Sequence, residues 1–207
     1  MNYGNANDVI TECPRCDESI DKHRFSIIRS ADAEKLVKDL QGKLDGVAKQ
    51  TAIHGFDPAR NTCMAGAAVA TINNGVYKYV AISGGETAIL NHIGSLGKDV
   101  TVLKGGTALP LSTIKGKSIA RVQPAPRERD RDYPIGACAA QKLLMAVFDQ
   151  ADKSGGRDKI TRISLAEILW SDPTNSGHNR DWSTGSIVCS CDTCKRIVPM
   201  MLCDKEA

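Results

Sequence analysis

Cysteines at 13, 16, 63, 138, 189, 191, 194 and 203 cluster as C-x2-C and C-x-C-x2-C, a pattern that suits metal binding better than a disulfide framework spread along the chain. Two thiolates in C-x2-C at a helix N-terminus, where the backbone dipole favours negative charge, make half of a zinc site. Cys191 and Cys194 have this spacing. A catalytic zinc takes three protein ligands and keeps its fourth position for water, whose pKa it lowers toward neutrality. Cys138, about fifty residues upstream, stands at the start of the preceding expected helix and is the candidate third ligand. Cys189 is one further thiol beside this set, and it reads as a bystander in preference to a competitor for zinc.

A second half-site is Cys13-Pro14-Arg15-Cys16 with His23, a candidate structural zinc site whose fourth ligand is open between Cys63 and Cys203. Lone C-x2-C pairs also occur without metal, so spacing alone does not decide it. His54, His92 and His178 have no partners at ligand spacing, but His178 lies in the loop before the cysteine motif and is a candidate substrate contact. Arg127, Arg129 and Arg131 alternate with acids, which favours a solvated loop over a phosphate-binding one.

These groups need a scaffold. Ser30 is an N-cap candidate with Asp32 and Glu34 in the first turn, and Leu36, Val37, Leu40, Leu44 and Val47 recur at helical spacing, which predicts an amphipathic helix. Residues 62–72 and 76–82 flank Asn73-Asn74-Gly75, whose Asn-Gly pair suits a tight antiparallel hairpin. From 86 to 134 glycines and prolines punctuate what reads as an insertion, with short candidate strands at Val100–Leu103 and Ser118–Val122. A helix is expected from Cys138 to Asp152, burying Leu143, Leu144, Val147 and Phe148. A strand is expected from Ile160 to Leu169, and a last helix from Cys191 to Met201 in which Pro199 strains the final turns.

Composition sets the class. At 207 residues the chain suits one elaborated domain, read as an N-terminal extension over 1–29 and a main domain over 30–207. Hydrophobic content of 42% and charged content of 25% are those of a globular protein, and no apolar run approaches the roughly 20 residues of a membrane span. No membrane partner is expected. Residues 1–8 show no basic region leading into an apolar core, so no secretory signal peptide is expected, and the unpaired-thiol pattern points to a reducing compartment such as the cytoplasm. A net charge of +3 is compatible with a nucleic-acid partner without requiring one.

The order helix, hairpin, Cys138-Ala139-Ala140-Gln141, strand, Cys191-Asp192-Thr193-Cys194 resembles the cytidine-deaminase-like superfamily. The hairpin adds to the likeness, since Ala65-Gly66-Ala67-Ala68 before Asn73-Asn74-Gly75 looks like the first strand and turn of free-nucleoside deaminases. The resemblance covers residues 30–85 and 134–204 and implies a three-layer α/β/α fold on a mixed sheet, with Zn2+ held by Cys138, Cys191 and Cys194. It also places Ala140 where the family has the Glu that moves protons between water, ring nitrogen and leaving amine. Alanine can do none of this. Two origins fit: a natural protein without the activity, or a single substitution that disarms an active one, and the intact ligand positions favour the second.

Other departures are Ser190, where the family usually has Pro, and the thirteen residues after Cys194, too few for the two strands that normally close the sheet. A shorter sheet, or one completed from the insertion, is therefore expected. Trp182 and Ser183 resemble the aromatic–serine pair that deaminases of the APOBEC type set beside the target base; a loop-packing tryptophan is the plain alternative. Substrate contacts are thus expected at Trp182, Ser190 and His178.

The resemblance implies hydrolysis of an exocyclic amine on a nucleobase, cytosine in single-stranded or duplex DNA being the leading choice and a free nucleoside the alternative. Ala140 makes the chain as written inactive. The insertion and short end look most like bacterial toxin-type deaminases, which implies secretion within a larger toxin and a cognate immunity protein as partner. The rival reading is a non-catalytic, zinc-stabilised binding module.

Overall fold

The structure, a computed structural model, describes residues 12–49, 62–84, 88–104, 110–119, 135–173, 184–187 and 192–205. Ser30 caps the first helix, α1 (Ala31–Ala48), by accepting a hydrogen bond from the Ala33 N–H at 3.3 Å. Its expected apolar stripe, Leu36, Val37, Leu40, Leu44 and Val47, is buried against one face of a sheet. Strands β1 (Thr62–Ile72) and β2 (Gly75–Ile82) form the expected hairpin. The turn differs in detail: Asn73 (φ 47°) and Asn74 (φ 64°) hold the two left-handed positions, and Gly75 is already the first residue of β2. Asparagine tolerates that region because its short polar side chain bonds locally.

Strand β3 (Val100–Val102), helix α2 (Ala139–Lys153), strand β4 (Ile160–Ser171) and helix α3 (Asp192–Met201) complete the regular elements among the described residues. The sheet order is β3-β2-β1-β4, with β1 antiparallel to both neighbours and β3 parallel to β2. The mixed sheet is covered by α1 on one face and by α2 and α3 on the other, an α/β/α arrangement. Alternation along the strands divides the two cores. Ala65, Ala67, Val80, Ile168 and Trp170 meet α1, whereas Ala68, Ala70, Ile163 and Leu165 meet α2 and α3. The alanines of β1 keep the middle of the sheet thin, so helices on both sides can approach it closely.

The region 86–134 is more than a surface insertion. Its 3-10 turn Ala88–Asn91 carries Ile89 and Leu90, buried with Ile93 in the α1-side core, and Leu111, Ile114 and Ile119 fill the α2-side core. It also supplies β3, which extends the sheet at the β2 edge. The second expected strand is reduced to an isolated bridge between Ser112 and Ser118, and residues 120–122 lie outside the described residues. Interrupting glycines hid an apolar content that tertiary packing uses.

The N-terminal segment closes the opposite edge. Phe25 enters the α2-side core, and Ile28 pairs in parallel with β4, its N–H donating to the Ile163 carbonyl at 3.3 Å and its carbonyl accepting from Leu165 N–H at 3.0 Å. An exposed strand edge is thereby covered by the chain's own backbone. No described helix is long and apolar enough to cross a membrane.

Candidate functional site

Two helix N-termini meet on the α2/α3 face. Cys138 is the N-cap residue of α2 and Cys194 is the third residue of α3, both buried in the same core. Gln141, fully buried in the first turn of α2, ties the loop before α2 to α3: its side-chain carbonyl accepts from the Gly136 N–H at 2.6 Å, and its amide donates to Cys194 Sγ at 3.4 Å. A glutamine in this role fixes the loop before α2 and one thiol of α3 with a single side chain. Both residues stand at helix starts, where the positive end of the helix dipole favours anionic groups in general. Cys191, expected to supply the remaining ligand, lies outside the described residues, as do Cys189, Ser190, Trp182 and His178.

Ala140 occupies the second position of α2 and is buried. Its N–H donates to Glu167 Oε1 at 3.0 Å, so an acid from β4 satisfies one of the orphan donors at the helix start. Gly66 makes the approach feasible. A β-carbon there would meet Leu143 Cδ1 at 2.9 Å, Ala139 Cβ at 3.2 Å and Glu167 Cγ at 3.4 Å, so only glycine lets α2 and the glutamate share this spot on β1. Replacing Glu167 with alanine should cost about 0.5–2 kcal/mol, the range of a lost helix cap, whereas glutamine, which keeps an acceptor oxygen, should cost less. Denaturant unfolding of the two variants measures the difference, and equal losses would show that the hydrogen bond to Ala140 carries none of it.

Lys142, buried in the next position but one, donates to the carbonyls of Ile82 at 3.1 Å and Gly84 at 2.8 Å, tying the end of β2 to the first turn of α2. Burial pulls its pKa below the usual lysine range, and the neighbouring Cys138 and Cys63 thiols oppose that shift. Burial in turn pushes the Cys63 thiol up to about 12, with Lys142 acting the other way. Cys63 packs with the α1-side core opposite Trp170 and is not in the group that the N-terminal pair forms.

The N-terminal pair finds its partners elsewhere. Among the described residues, the one group of three or more Cys, His, Asp or Glu side chains set to hold a metal ion is Cys13, Cys16, His23 and Cys203, whose ligand atoms all lie within 4.8 Å of one another. Cys13, His23 and Cys203 are buried and Cys16 is partly so. The turn is built locally: Asp17 N–H donates to the Cys13 carbonyl at 2.9 Å, Cys13 N–H to the Glu18 carbonyl at 2.8 Å, and Asp17 takes φ 56°. The short 3-10 turn Ile20–Lys22 then returns His23 to the pair, with Nε2 at 3.4 Å from Cys16 Sγ. Cys203 arrives just past α3. Burial holds His23 below the ordinary histidine range, hence neutral, and pushes Cys203 up to about 12 and Cys13 upward. None of the six described cysteines is in a disulfide.

Compared with models of protein families, with curated proteins and with solved structures, the chain matches none. The α/β/α sheet is compatible with a cytidine-deaminase-like fold, and the chain possesses a Cys/His group able to hold a metal ion. Sequence reasoning singled out Cys138, Ala140, Cys194, Cys13 and Cys16, which the structure divides between two places. It did not find Gln141, Lys142 or Glu167. Their signal was present, as polar side chains interrupting the apolar runs of α2 and β4, but polarity does not say which way a residue turns.

Proposed function

We propose that this chain has the scaffold of a zinc-dependent hydrolytic deaminase of a nucleobase, with Ala140 at the position of its acid/base residue. The observation that carries the reading is the placement of Cys138 and Cys194 in one core at the starts of α2 and α3, with Gln141 of α2 bonded to Cys194 Sγ. Soft, dipole-favoured thiol ligands fit Zn2+, with Cys138, Cys191 and Cys194 as the residues that would hold it. When bound, zinc supplies a nucleophilic water at neutral pH. The chain's own residues do the rest of the preparation: Gln141 orients Cys194, Glu167 and Gly66 seat the first turn of α2, and Lys142 closes the β2 end over it. With a methyl group at position 140, no side chain there can carry a proton to the ring nitrogen or the leaving amine.

Cytosine in nucleic acid is the proposed substrate, on the net charge of +3 and on a long region between β2 and α2 of the kind that toxin-type enzymes use around their pockets. Trp182, Ser190 and His178, which precede α3 in sequence, would contribute contacts to it. A toxin role with an immunity partner belongs to the same proposal. The test is a deamination assay of the Ala140→Glu protein on single-stranded DNA, duplex DNA, RNA and free nucleosides.

A second reading has its own support. The Cys13, Cys16, His23 and Cys203 group offers four protein ligands, the number of a closed structural site, as a zinc-stabilised binding module requires. The two readings separate on activity of the Ala140→Glu form, since a module has none to restore.

A further inference from the structure

We infer that Cys13, Cys16, His23 and Cys203 form a closed, four-coordinate structural zinc centre that clamps the N-terminal segment onto the far end of the helix carrying Cys194. The donor set is three thiols and one imidazole, which selects zinc among the common divalent ions by softness and by tetrahedral preference. The dimensions agree: ligand atoms within 4.8 Å of one another need only to close inward to reach metal–ligand distances of about 2.0–2.3 Å. Four protein ligands leave no position for water, so the centre is structural in kind.

Among the described residues, His23 Nδ1 and the side-chain atoms Arg15 Nε and Asp204 Oδ1, which adjoin the ligands in sequence, are buried without a hydrogen-bond partner. Buried polar groups are normally satisfied, so the surroundings of this centre are those of a polar site and not of a plain apolar core. Apolar packing cannot explain the cluster either. Among the described residues, the companions of Cys13 and Cys203 in their small core are Ile20 and the partly buried Cys16, too few to fix a twelve-residue segment by hydrophobic burial alone.

The centre's position gives it a role. Cys203 lies just past α3, and Cys13 Sγ also donates to the Pro199 carbonyl in the last turn of that helix at 3.8 Å. Cys194 sits at the other end of the same helix, roughly 13 Å away along its axis at the α-helical rise. Zinc at one end therefore fixes the rod whose other end carries the proposed catalytic thiols. This inference stands whether or not the deaminase reading does.

The experiment is zinc counting by elemental analysis on the purified full chain, paired with thermal melts. Cys203→Ser and Cys13→Ser should each lose one zinc per chain relative to the parent and melt at lower temperature, while Cys194→Ser leaves that zinc in place. His23→Cys, which preserves four ligands, should retain the metal where His23→Ala does not. Because a serine variant can fail to fold, the parent protein is also titrated with Co2+ after chelation: a thiolate-to-cobalt charge-transfer band that persists in Cys194→Ser is expected. A parent whose zinc content is unchanged by Cys203→Ser, or a Co2+ band abolished by Cys194→Ser and untouched by Cys203→Ser, overturns the inference.

Discussion

The Ala140→Glu protein is expected to deaminate a nucleobase faster than the parent by ~100-fold to ~10,000-fold, the range that a positioned acid/base group supplies. The backbone is already prepared for it. Position 140 is the second residue of α2, its N–H is held by Glu167, and the first turn is pinned by Gln141 and Lys142, so a new side chain enters a fixed frame. A carboxylate near a helix start is favoured by the dipole, which offsets part of the cost of placing it where Ala140 is buried. Melting temperature should therefore change little in the zinc-loaded variant and fall more on chelation than it does for the parent, because chelation leaves a buried charge without its cation. Activity is read on the four substrate forms, and zinc content is read on the same sample. A folded, zinc-loaded Ala140→Glu protein that deaminates none of them ends the deaminase reading and leaves the binding module.

Local patterns carried much of the fold. The Ser30 cap, the heptad-like stripe of α1 and the asparagine turn are encoded within a few residues of where they act; the first two are found at the expected place, and the turn sits one residue earlier, on Asn73-Asn74. The apolar face of α2 behaves likewise, with Leu143, Leu144, Val147 and Phe148 all inaccessible. What spacing could not disclose is what closes between distant segments. Cys203 completes the N-terminal pair from the opposite end of the chain, and nothing in C-x2-C-x6-H distinguishes it from Cys63, which packs on the α1 side of β1 opposite Trp170. Glu167 is similar. In sequence it is one acid in an apolar strand, and only the empty side of Gly66 on the paired strand turns it into the partner of Ala140. The region 86–134 was obscured for a different reason: its apolar residues are separated by turns, so they show no period, yet they pack on both faces of the sheet.

Strand β4 runs two residues beyond Leu169, and the extension brings Trp170 into the α1-side core, where the largest stability loss is expected. Trp170 is among the largest fully buried side chains, paired with Cys63 across β1, and its indole N–H donates to Asp45 Oδ1 on α1 at 2.8 Å. Truncation to alanine removes both the packing and the link to α1. Trp170→Ala should cost ~3–5 kcal/mol, as large core truncations do, because the rigid strand and helix on either side can collapse only partly into the space. In a chain of this length each kcal/mol corresponds to about 2–4 °C, so the melting temperature should fall by about 6–20 °C. Trp170→Phe keeps most of the ring volume and loses the hydrogen bond to a half-buried carboxylate, for which about 1 kcal/mol is expected. Both variants lie on the face of the sheet away from Cys138 and Cys194, so the folded fraction should keep the parent's zinc content. Calorimetry with metal analysis on the same samples tests this. Zinc lost in Trp170→Phe at temperatures where the protein remains folded would mean that the two faces of the sheet are coupled, and that α1 helps to shape the site on the other side.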